Sequence, residues 1–237
     1  MLHLIGLGLK VESVSKEALS AIKKCKKIYL EGYTVDFPYS TKELERVIEK
    51  KIIVLGREDV ESDKLLNESK KKNVALLVYG SPLFATTHTT LLNEARMKKI
   101  KTSVIFNGSV FDAIGITGLQ LYKFGKITSM PTWKENFKPD SFMDIIKENK
   151  SIKAHSLILI DIGLELKDAL HQLEKASENK KIKIDKIVLC SSLGNDNKIF
   201  YGNIDKLKNK KVNKPYCIII PEDLHFMEEE FLQQHKV

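Results

Sequence analysis

Residues that can bind a small polar ligand are concentrated where two predicted strands end. The apolar segment 74–78 runs into Gly80-Ser81-Pro82 and then into the hydroxyl-rich residues 86–89. A second segment of this kind, Asn107-Gly108-Ser109, follows the predicted strand 102–106. In an open α/β domain, small ligands bind beyond the carboxyl ends of the strands, where backbone N–H groups are free. The two loops therefore predict one ligand site at a sheet edge.

The elements that position these loops alternate between strands and helices, which is typical of α/β architecture. The strands are predicted at residues 2–6, 27–30, 52–55, 74–78, 102–106, 156–162, 186–191 and 216–221. The helices are predicted at residues 15–26, 40–49, 67–72, 89–98, 111–121 and 167–179. The segment 128–142 contains two prolines and no sustained periodicity, which favours a boundary there. We predict an N-terminal α/β domain at residues 1–127 and a C-terminal α/β domain at residues 128–237.

The net charge of +8 comes almost entirely from lysine, since Arg46, Arg57 and Arg96 are the only arginines. Bidentate readers of bases and phosphates are usually arginines, so the lysines indicate solvated helix faces and no sequence-specific nucleic-acid reader. A mild attraction to acidic partners or RNA-rich assemblies stays open. No apolar run approaches the roughly 20 residues that span a bilayer, and no basic segment precedes the first apolar stretch. We expect a cytoplasmic protein without a membrane segment.

The chain shows no spacing typical of metal ligands. Its cysteines, Cys25, Cys190 and Cys217, are scattered, and none belongs to a Cys-x-x-Cys pair. The six histidines likewise form no His-x-x-x-His pattern. This composition predicts buried free thiols in a reducing cytosol and no metal site.

The motifs of common hydrolases and nucleotide-binding loops are missing from the sequence. Gly6 and Gly8 close the first strand, but the Gly-x-Gly-x-x-Gly pattern fails, because the residues that follow, up to Glu12-Ser13, include no third glycine. These glycines fit a tight turn and a ligand contact equally well. No Gly-x-Ser-x-Gly elbow and no phosphate-binding Gly-Lys-Ser/Thr loop is present.

Several polar residues near the strand ends have both a structural and a functional interpretation. Ser109 and the threonines 86, 87 and 89 are suited to cap the helices that follow them. His88 is expected to be a satisfied polar side chain beside a helix more often than a catalytic group. Asp161, at the end of an apolar strand, fits a loop anchor and a site residue equally well.

Five segments together carry a resemblance to a known family. They are residues 4–9 (LIGLGL), 57–61 (REDVE), 85–88 (ATTH), 115–125 (GITGLQLYKFG) and 159–162 (LIDI). These segments resemble those of diphthine synthases, in the tetrapyrrole-methylase-like class of S-adenosylmethionine-dependent methyltransferases. The resemblance runs in register from residue 1 to about residue 161, with residues 221–225 as a late match.

The resemblance implies a two-domain α/β fold in which each lobe has a mixed or parallel sheet flanked by helices. It implies a homodimer with S-adenosyl-L-methionine in the cleft between the lobes. The implied substrate is the 2-(3-amino-3-carboxypropyl)histidine of translation elongation factor 2, whose amino group is methylated repeatedly to give diphthine. The implied cofactor contacts are Leu9, Ser81, Phe84, Ser109, Val110, Ile160, Leu193 and Tyr216; no catalytic residue is assigned.

The chain departs from the family at two of these contacts. The family has Gly-Asp-Pro where this chain has Gly80-Ser81-Pro82, and it has Ala-Arg-Ala/Val-Gly near residues 190–194, which here read CSSLG. Two alternative functions stay open: a methyltransferase of the same fold for a porphyrin-like or other small substrate, and a non-catalytic basic binding protein derived from the enzyme.

Overall fold

The chain folds into two compact units, each built around its own sheet. The computed structural model describes residues 1–84 and 86–237, except for the side chain of Thr86. The first unit is Met1–Val110 and the second unit is Phe111–Val237. Residues 111–127, which the sequence division assigns to the N-terminal domain, belong to the second unit. They contribute no strand to either sheet.

The first unit is a parallel five-stranded sheet with the strand order β3-β2-β4-β1-β5. Its strands are β1 Leu2–Gly6, β2 Lys27–Glu31, β3 Ile53–Leu55, β4 Val74–Val78 and β5 Thr102–Ile105. Its helices are α1 Lys16–Lys24, α2 Thr41–Ile48, α3 Arg57–Glu61, α4 Lys64–Lys71 and α5 Thr86–Met97. Because all five strands are parallel, their carboxyl ends meet at one edge of the sheet.

Successive side chains of a strand point to opposite faces of the sheet, and in this parallel sheet both faces are buried. Leu4 and Leu76 pack in one apolar cluster, whereas Ile5 and Leu77 pack in the other. The predicted strands of this unit are confirmed with small differences at their ends. Ser15 accepts a hydrogen bond from the Ala18 backbone and caps α1.

The second unit is a mixed sheet with the strand order β6-β7-β10-β8-β9, in which only the β6–β7 pair is parallel. Its strands are β6 Thr128–Met130, β7 Ser156–Ile160, β8 Ile187–Ser191, β9 Lys198–Gly202 and β10 Tyr216–Ile220. Its helices are α6 Val110–Ala113, α7 Phe142–Ser151, α8 Leu166–Lys180, α9 Ile204–Leu207 and α10 Phe226–Gln233. The α/β class, with a parallel sheet and a mixed sheet, is confirmed.

The predicted helix at residues 111–121 is wrong. Only α6 and the short 3-10 turns Ile114–Thr117 and Leu121–Lys123 form there. Gly118 has a φ of +80°, which ends any right-handed helix, and a Cβ at that position would lie 2.4 Å from the Phe231 ring. The close packing of α10 therefore decides the conformation of this segment, and sequence periodicity alone did not reveal it.

The segment 128–142 is more regular than its composition predicts. It contains β6 and leads directly into α7, and Trp133 packs against the core of the second unit. The Trp133 backbone N–H donates to Gln172, and its indole N–H donates to the carbonyl of Pro139. Tertiary contacts therefore order a stretch that has no helical or strand period of its own.

The structure confirms the prediction of free buried thiols and contains no helix suited to a bilayer. Cys25, Cys190 and Cys217 are all buried, and none of the three forms a disulfide bond. Within residues 1–84 and 86–237, no helix combines the length and apolar character that crossing a membrane requires.

A buried carboxylate holds the second unit together around residues 115–125. Glu228 in α10 accepts hydrogen bonds from the backbone N–H of Gln120 at 2.9 Å and the ammonium of Lys123 at 2.6 Å. It also accepts from the His225 backbone N–H at 2.8 Å and lies 3.1 Å from Nε2 of His155. Burial alone would raise the pKa of Glu228, but these donors outweigh it and lower the pKa to about 2.

We predict that Glu228→Gln lowers the free energy of unfolding by about 3 kcal/mol at neutral pH, because it removes the buried carboxylate that pairs with the half-buried ammonium of Lys123. The folded pKa of Glu228 is depressed from 4.5 to about 2. Its stabilising contribution is therefore complete above about pH 4.5 and is lost as the pH falls toward 2. Urea denaturation between pH 7 and pH 2.5 measures both effects.

The matched control is Glu230→Gln, because Glu230 is an exposed glutamate two residues further along the same helix. It should change the unfolding free energy by less than about 0.5 kcal/mol. If the stability difference between Glu228→Gln and the unmodified chain stayed constant down to pH 2.5, Glu228 would not be the buried anion described here.

Candidate functional site

Two glycines join the loops that follow β1 and β4. The Gly8 N–H donates to the Gly80 carbonyl at 3.3 Å, and the Gly80 N–H donates to the Gly8 carbonyl at 3.0 Å. We call this pair the glycine bridge. Both residues have a positive φ, +75° at Gly8 and +66° at Gly80, which glycine adopts without strain. The bridge places Leu9 and Ser81, the residues that follow, on adjacent backbones.

Asn107 ties the loop after β5 to the same place. Its side-chain amide donates to the carbonyls of Gly6 at 3.3 Å and Ser13 at 2.9 Å. Its side-chain oxygen accepts from the Gly108 N–H at 2.8 Å. A Cβ on Gly80 would stand 3.6 Å from the Cα of Ser109, so the loops after β4 and β5 are in contact.

An aromatic side chain that the sequence did not single out supports Leu9. The Tyr79 hydroxyl donates to the Leu9 carbonyl at 3.0 Å. The Tyr79 ring packs edge-on against Phe37 at a centroid distance of 5.3 Å. Burial raises the pKa of Tyr79, so its hydroxyl stays protonated and able to donate. Its position directly after the apolar strand was the signal available in the sequence.

The structure brings five of the predicted cofactor contacts to the carboxyl edge of the first sheet. Ser109 is buried, and Phe84 leaves 55% of its surface exposed. Leu9, Ser81 and Val110 are half-buried beside them. Ala85, the first residue of the ATTH segment, lies outside the described residues, and so does the side chain of Thr86.

The other three predicted contacts lie at one edge of the second sheet. β10 runs antiparallel to β7 and β8, so its first residue, Tyr216, lies beside the carboxyl ends of both strands. Ile160 is the last residue of β7, and Leu193 follows β8. Tyr216 and Leu193 are buried, and the Tyr216 hydroxyl donates to the Leu164 carbonyl at 3.0 Å.

Asp161 acts as a loop anchor. One carboxylate oxygen accepts from the Thr132 N–H at 3.0 Å, and the other accepts from the Ile162 N–H at 3.0 Å. Its own N–H donates to the Met130 carbonyl. The structure therefore favours the first of the two interpretations that the sequence left open for Asp161.

A buried polar cluster lies at the ends of β2 and β4, and we define it as Glu31, Tyr33 and His88. Oε1 of Glu31 is 3.6 Å from Nε2 of His88, and both side chains are almost completely buried. Oε2 of Glu31 accepts from the Thr34 hydroxyl at 2.8 Å. Sequence reasoning missed Glu31, although a carboxylate that ends an apolar strand was the available signal.

Burial is the main influence on both ionisable members of this pair. It raises the pKa of Glu31 to about 7, against smaller opposing effects of the Thr34 hydroxyl and the Arg57 charge. It lowers the pKa of His88, with a weaker opposing effect of the Pro82 backbone. In the parts of the chain that the structure describes, no group of three or more histidine, cysteine or acidic side chains is arranged to hold a metal ion.

The family model of the tetrapyrrole (corrin/porphyrin) methylases matches residues 1–208 of this chain. The chain therefore belongs to this family of methyltransferases. The predicted tetrapyrrole-methylase-like fold is confirmed by solved structures. A crystal structure from Entamoeba histolytica has a TM-score of 0.91 and 32% identity over 100% of this chain and 98% of its own.

The chain is similar over its whole length to curated members of one branch of the family. It is 41% identical to a diphthine synthase of Methanocaldococcus jannaschii, with 98% of each chain covered. It is 35% identical to a diphthine methyl ester synthase of Schizosaccharomyces pombe, with 100% of this chain and 95% of the relative covered. A solved diphthine synthase structure has a TM-score of 0.89 and 31% identity, covering 100% of this chain and 96% of its own.

We predict that Gly8→Ala lowers the free energy of unfolding by about 2–5 kcal/mol. The added Cβ meets a left-handed backbone and would stand 2.6 Å from the Cβ of Ser13. The bridge to Gly80 would have to open to relieve the contact. Urea denaturation of the full chain measures the loss.

Gly163→Ala separates backbone strain from crowding. Gly163 also has a positive φ, +77°, but a Cβ there meets nothing within 4 Å. The variant should lose only about 1–2 kcal/mol, the cost of the left-handed backbone. Equal losses in the two variants would contradict a tightly packed glycine bridge.

Proposed function

We propose that this chain is an S-adenosylmethionine-dependent N-methyltransferase of diphthamide biosynthesis. Its substrate would be the 2-(3-amino-3-carboxypropyl)histidine of translation elongation factor 2, and repeated methylation of the amino group would give diphthine. The observation that carries the proposal is the full-length similarity to diphthine synthases, at 41% identity to one of them. The strand-end loops joined by the glycine bridge support it.

The residues at the first sheet edge suit the proposed cofactor. Gly8 and Gly80 present backbone in place of side chains, so a nucleoside can approach the loops closely. Ser81 and Ser109 supply hydroxyls that can bond ribose or carboxylate oxygens, and Leu9 and Phe84 supply apolar contact. We assign the cofactor contacts at this edge to Leu9, Ser81, Phe84, Ser109 and Val110, and those at the second sheet edge to Ile160, Leu193 and Tyr216.

The chemistry of methyl transfer asks little of a nucleophilic side chain. When bound, the cofactor supplies a methyl group that a sulfonium already activates toward an amine lone pair. The protein has to align the amine, exclude water and accept a proton, and alignment alone can contribute on the order of 7–11 kcal/mol. This requirement agrees with strand-end loops made of backbone, hydroxyls and apolar side chains.

We also propose that the enzyme acts in the cytoplasm as a homodimer. Several large apolar side chains of the second unit are exposed, which favours an interface with a second copy. They include Ile116, Leu121, Tyr122, Phe226 and Met227. Sedimentation equilibrium should give twice the 27.0 kDa chain mass. A monomer at micromolar concentration would contradict the dimer.

We predict that Ser81→Asp tightens S-adenosylmethionine binding by roughly tenfold. A carboxylate makes a charge-assisted hydrogen bond worth about 1.5–3 kcal/mol, against about 1 kcal/mol for the neutral serine hydroxyl. Isothermal titration calorimetry of both chains measures the change.

Ser81→Ala is the matched control for this substitution. It removes the hydroxyl without adding charge and should bind the cofactor more weakly than the unmodified chain. If Ser81→Asp bound the cofactor no better than Ser81→Ala, residue 81 would not contact it. Absence of saturable heat with the unmodified chain would favour the non-catalytic alternative.

The catalytic proposal predicts methylated product on the modified elongation factor. The chain is incubated with aminocarboxypropyl-modified elongation factor 2 and cofactor, and the modified peptide is weighed and fragmented by mass spectrometry. Methyl additions on the amino group are expected. Unmodified elongation factor is the control and should gain none. Intact cofactor binding without any methyl addition would sink the diphthine proposal, and methyl on the carboxyl group would reveal ester formation.

A further inference from the structure

Among the side chains that the structure describes, the buried polar cluster holds most of the unsatisfied polar atoms. In residues 1–84 and 87–237, seven buried side-chain nitrogen or oxygen atoms lack a hydrogen-bond partner. By strict hydrogen-bond geometry four of them belong to the cluster: Oε1 of Glu31, the hydroxyl of Tyr33, and both ring nitrogens of His88. The Pro82 backbone and the Thr87 hydroxyl interact with His88 and Tyr33, but in geometry too poor to satisfy them fully. Leaving buried polar groups unbonded is costly, and proteins concentrate such groups where a ligand or a reaction uses them.

The cluster lies beside the loop that carries Ser81. Glu31 is the last residue of β2, which pairs directly with β4, and both strands end at the same sheet edge. His88 lies in the first turn of α5, which follows the loop after β4. The Pro82 backbone in that loop raises the pKa of the His88 ring against the larger effect of burial. An amine bound at the cluster would therefore be close to the proposed cofactor loop.

Charged neighbours come from two other segments of the chain. The guanidinium of Arg57 stands over the Tyr33 ring at 5.5 Å and lies 4.0 Å from Glu61. The Thr87 hydroxyl donates to Glu61 at 3.4 Å. Residues 57, 61 and 87, which belong to two of the segments that carried the family resemblance, thus lie near the cluster.

We propose that the buried polar cluster receives the amino group of the protein substrate, that Nε2 of His88 accepts the proton each transfer releases, and that Glu31 stabilises the resulting imidazolium. His88 and Glu31 are then both catalytic residues, because each contacts the amino group: His88 takes its proton, and Glu31 binds the ammonium. The proposal rests on the proposed function and adds the acceptor site and the proton acceptor to it. Three acceptor atoms, on a carboxylate, an imidazole and a phenol, match the three N–H donors of a primary ammonium.

The proton balance of the reaction requires such an acceptor. The amine lone pair forms the new nitrogen–carbon bond as the sulfur–carbon bond breaks, and the bonding electron pair stays on a neutral sulfur. The positive charge moves to the methylated ammonium. That ammonium has no lone pair for another transfer until one N–H proton moves to Nε2 of His88. The Thr34 hydroxyl, exposed and hydrogen-bonded to Glu31, connects the pair to solvent.

The charges around His88 agree with this role. Burial lowers the pKa of His88, so the ring is neutral and able to accept a proton near neutral pH. The charge of Arg57 favours the ionised form of Glu31, and Arg57 itself lies 4.0 Å from Glu61. When the imidazole takes a proton, an ionised Glu31 at 3.6 Å compensates the new charge.

His88→Asn tests the proposal in the full-length chain with aminocarboxypropyl-modified elongation factor 2. Its rate of methyl transfer should fall by about 10²–10⁴-fold, the usual contribution of a general base. The rate of the unmodified chain should fall at acidic pH as His88 takes up a proton. The variant should lack this acidic limb, and added free imidazole should restore part of its rate. Cofactor affinity should stay within about twofold by calorimetry.

Binding without cofactor gives a second measurement that does not depend on turnover. Glu31→Gln should weaken binding of the modified elongation factor by roughly tenfold and leave binding of the unmodified factor unchanged. For the rate measurement with His88→Asn, the matched control is His3→Asn. His3 is another buried histidine of the same sheet, and its ring is bonded to the Ser103 hydroxyl at 2.9 Å. It lies near the amino end of β1 and should keep its rate within about twofold.

The outcomes distinguish this inference from the proposed function. An active unmodified chain together with a His88→Asn variant of equal rate and equal pH profile would overturn the inference alone. A loss of the same size in His3→Asn would also overturn it, since the effect would then be structural. An unmodified chain that binds cofactor but never methylates the modified factor would overturn the proposed function and this inference with it.

Discussion

Two backbone hydrogen bonds between Gly8 and Gly80 are the constraint on which the first unit's ligand edge depends. They form only because both residues adopt a positive φ, and because neither carries a Cβ that would separate the loops. The bridge is an antiparallel contact that joins the two chain segments just beyond the ends of the parallel strands β1 and β4. Asn107 then fixes the third loop to it through the Gly6 carbonyl. The loops are therefore held together by backbone hydrogen bonds and by one side chain, that of Asn107.

Two buried glutamates show how partners decide what a carboxylate does. Glu228 has four donors and a pKa lowered to about 2, so it is a permanent anion that locks α10 onto residues 115–125. Glu31 is equally buried, but within the described part of the chain only the Thr34 hydroxyl bonds it, and burial raises its pKa to about 7. The first arrangement stabilises a fold. The second leaves a proton equilibrium near neutral pH, which is the property that acid–base chemistry needs.

The family segments have different physical roles in this chain. Residues 115–125, the most distinctive of them, form a packing element: Gly118 accommodates Phe231, and Lys123 pairs with Glu228. Arg57, Glu61 and Thr87, from two other family segments, instead lie near the buried polar cluster. A motif can therefore identify a family without marking its reaction site, and only the contacts distinguish the two cases.

The sequence by itself determined the α/β class, the inner strands of both sheets and the loops at the strand ends. Apolar runs and glycine-rich loop segments are local signals, so they can be recognised without the fold. It also singled out Ser81. It failed at residues 111–121, since the packing of Phe231 on Gly118 is a contact between distant segments. The pairing of Glu31 with His88 was equally invisible, because the end of β2 and the first turn of α5 are far apart in the sequence. Only the tertiary structure decided which polar residues are bonded and which are left for chemistry, since hydrogen-bond satisfaction depends on neighbours that folding brings together.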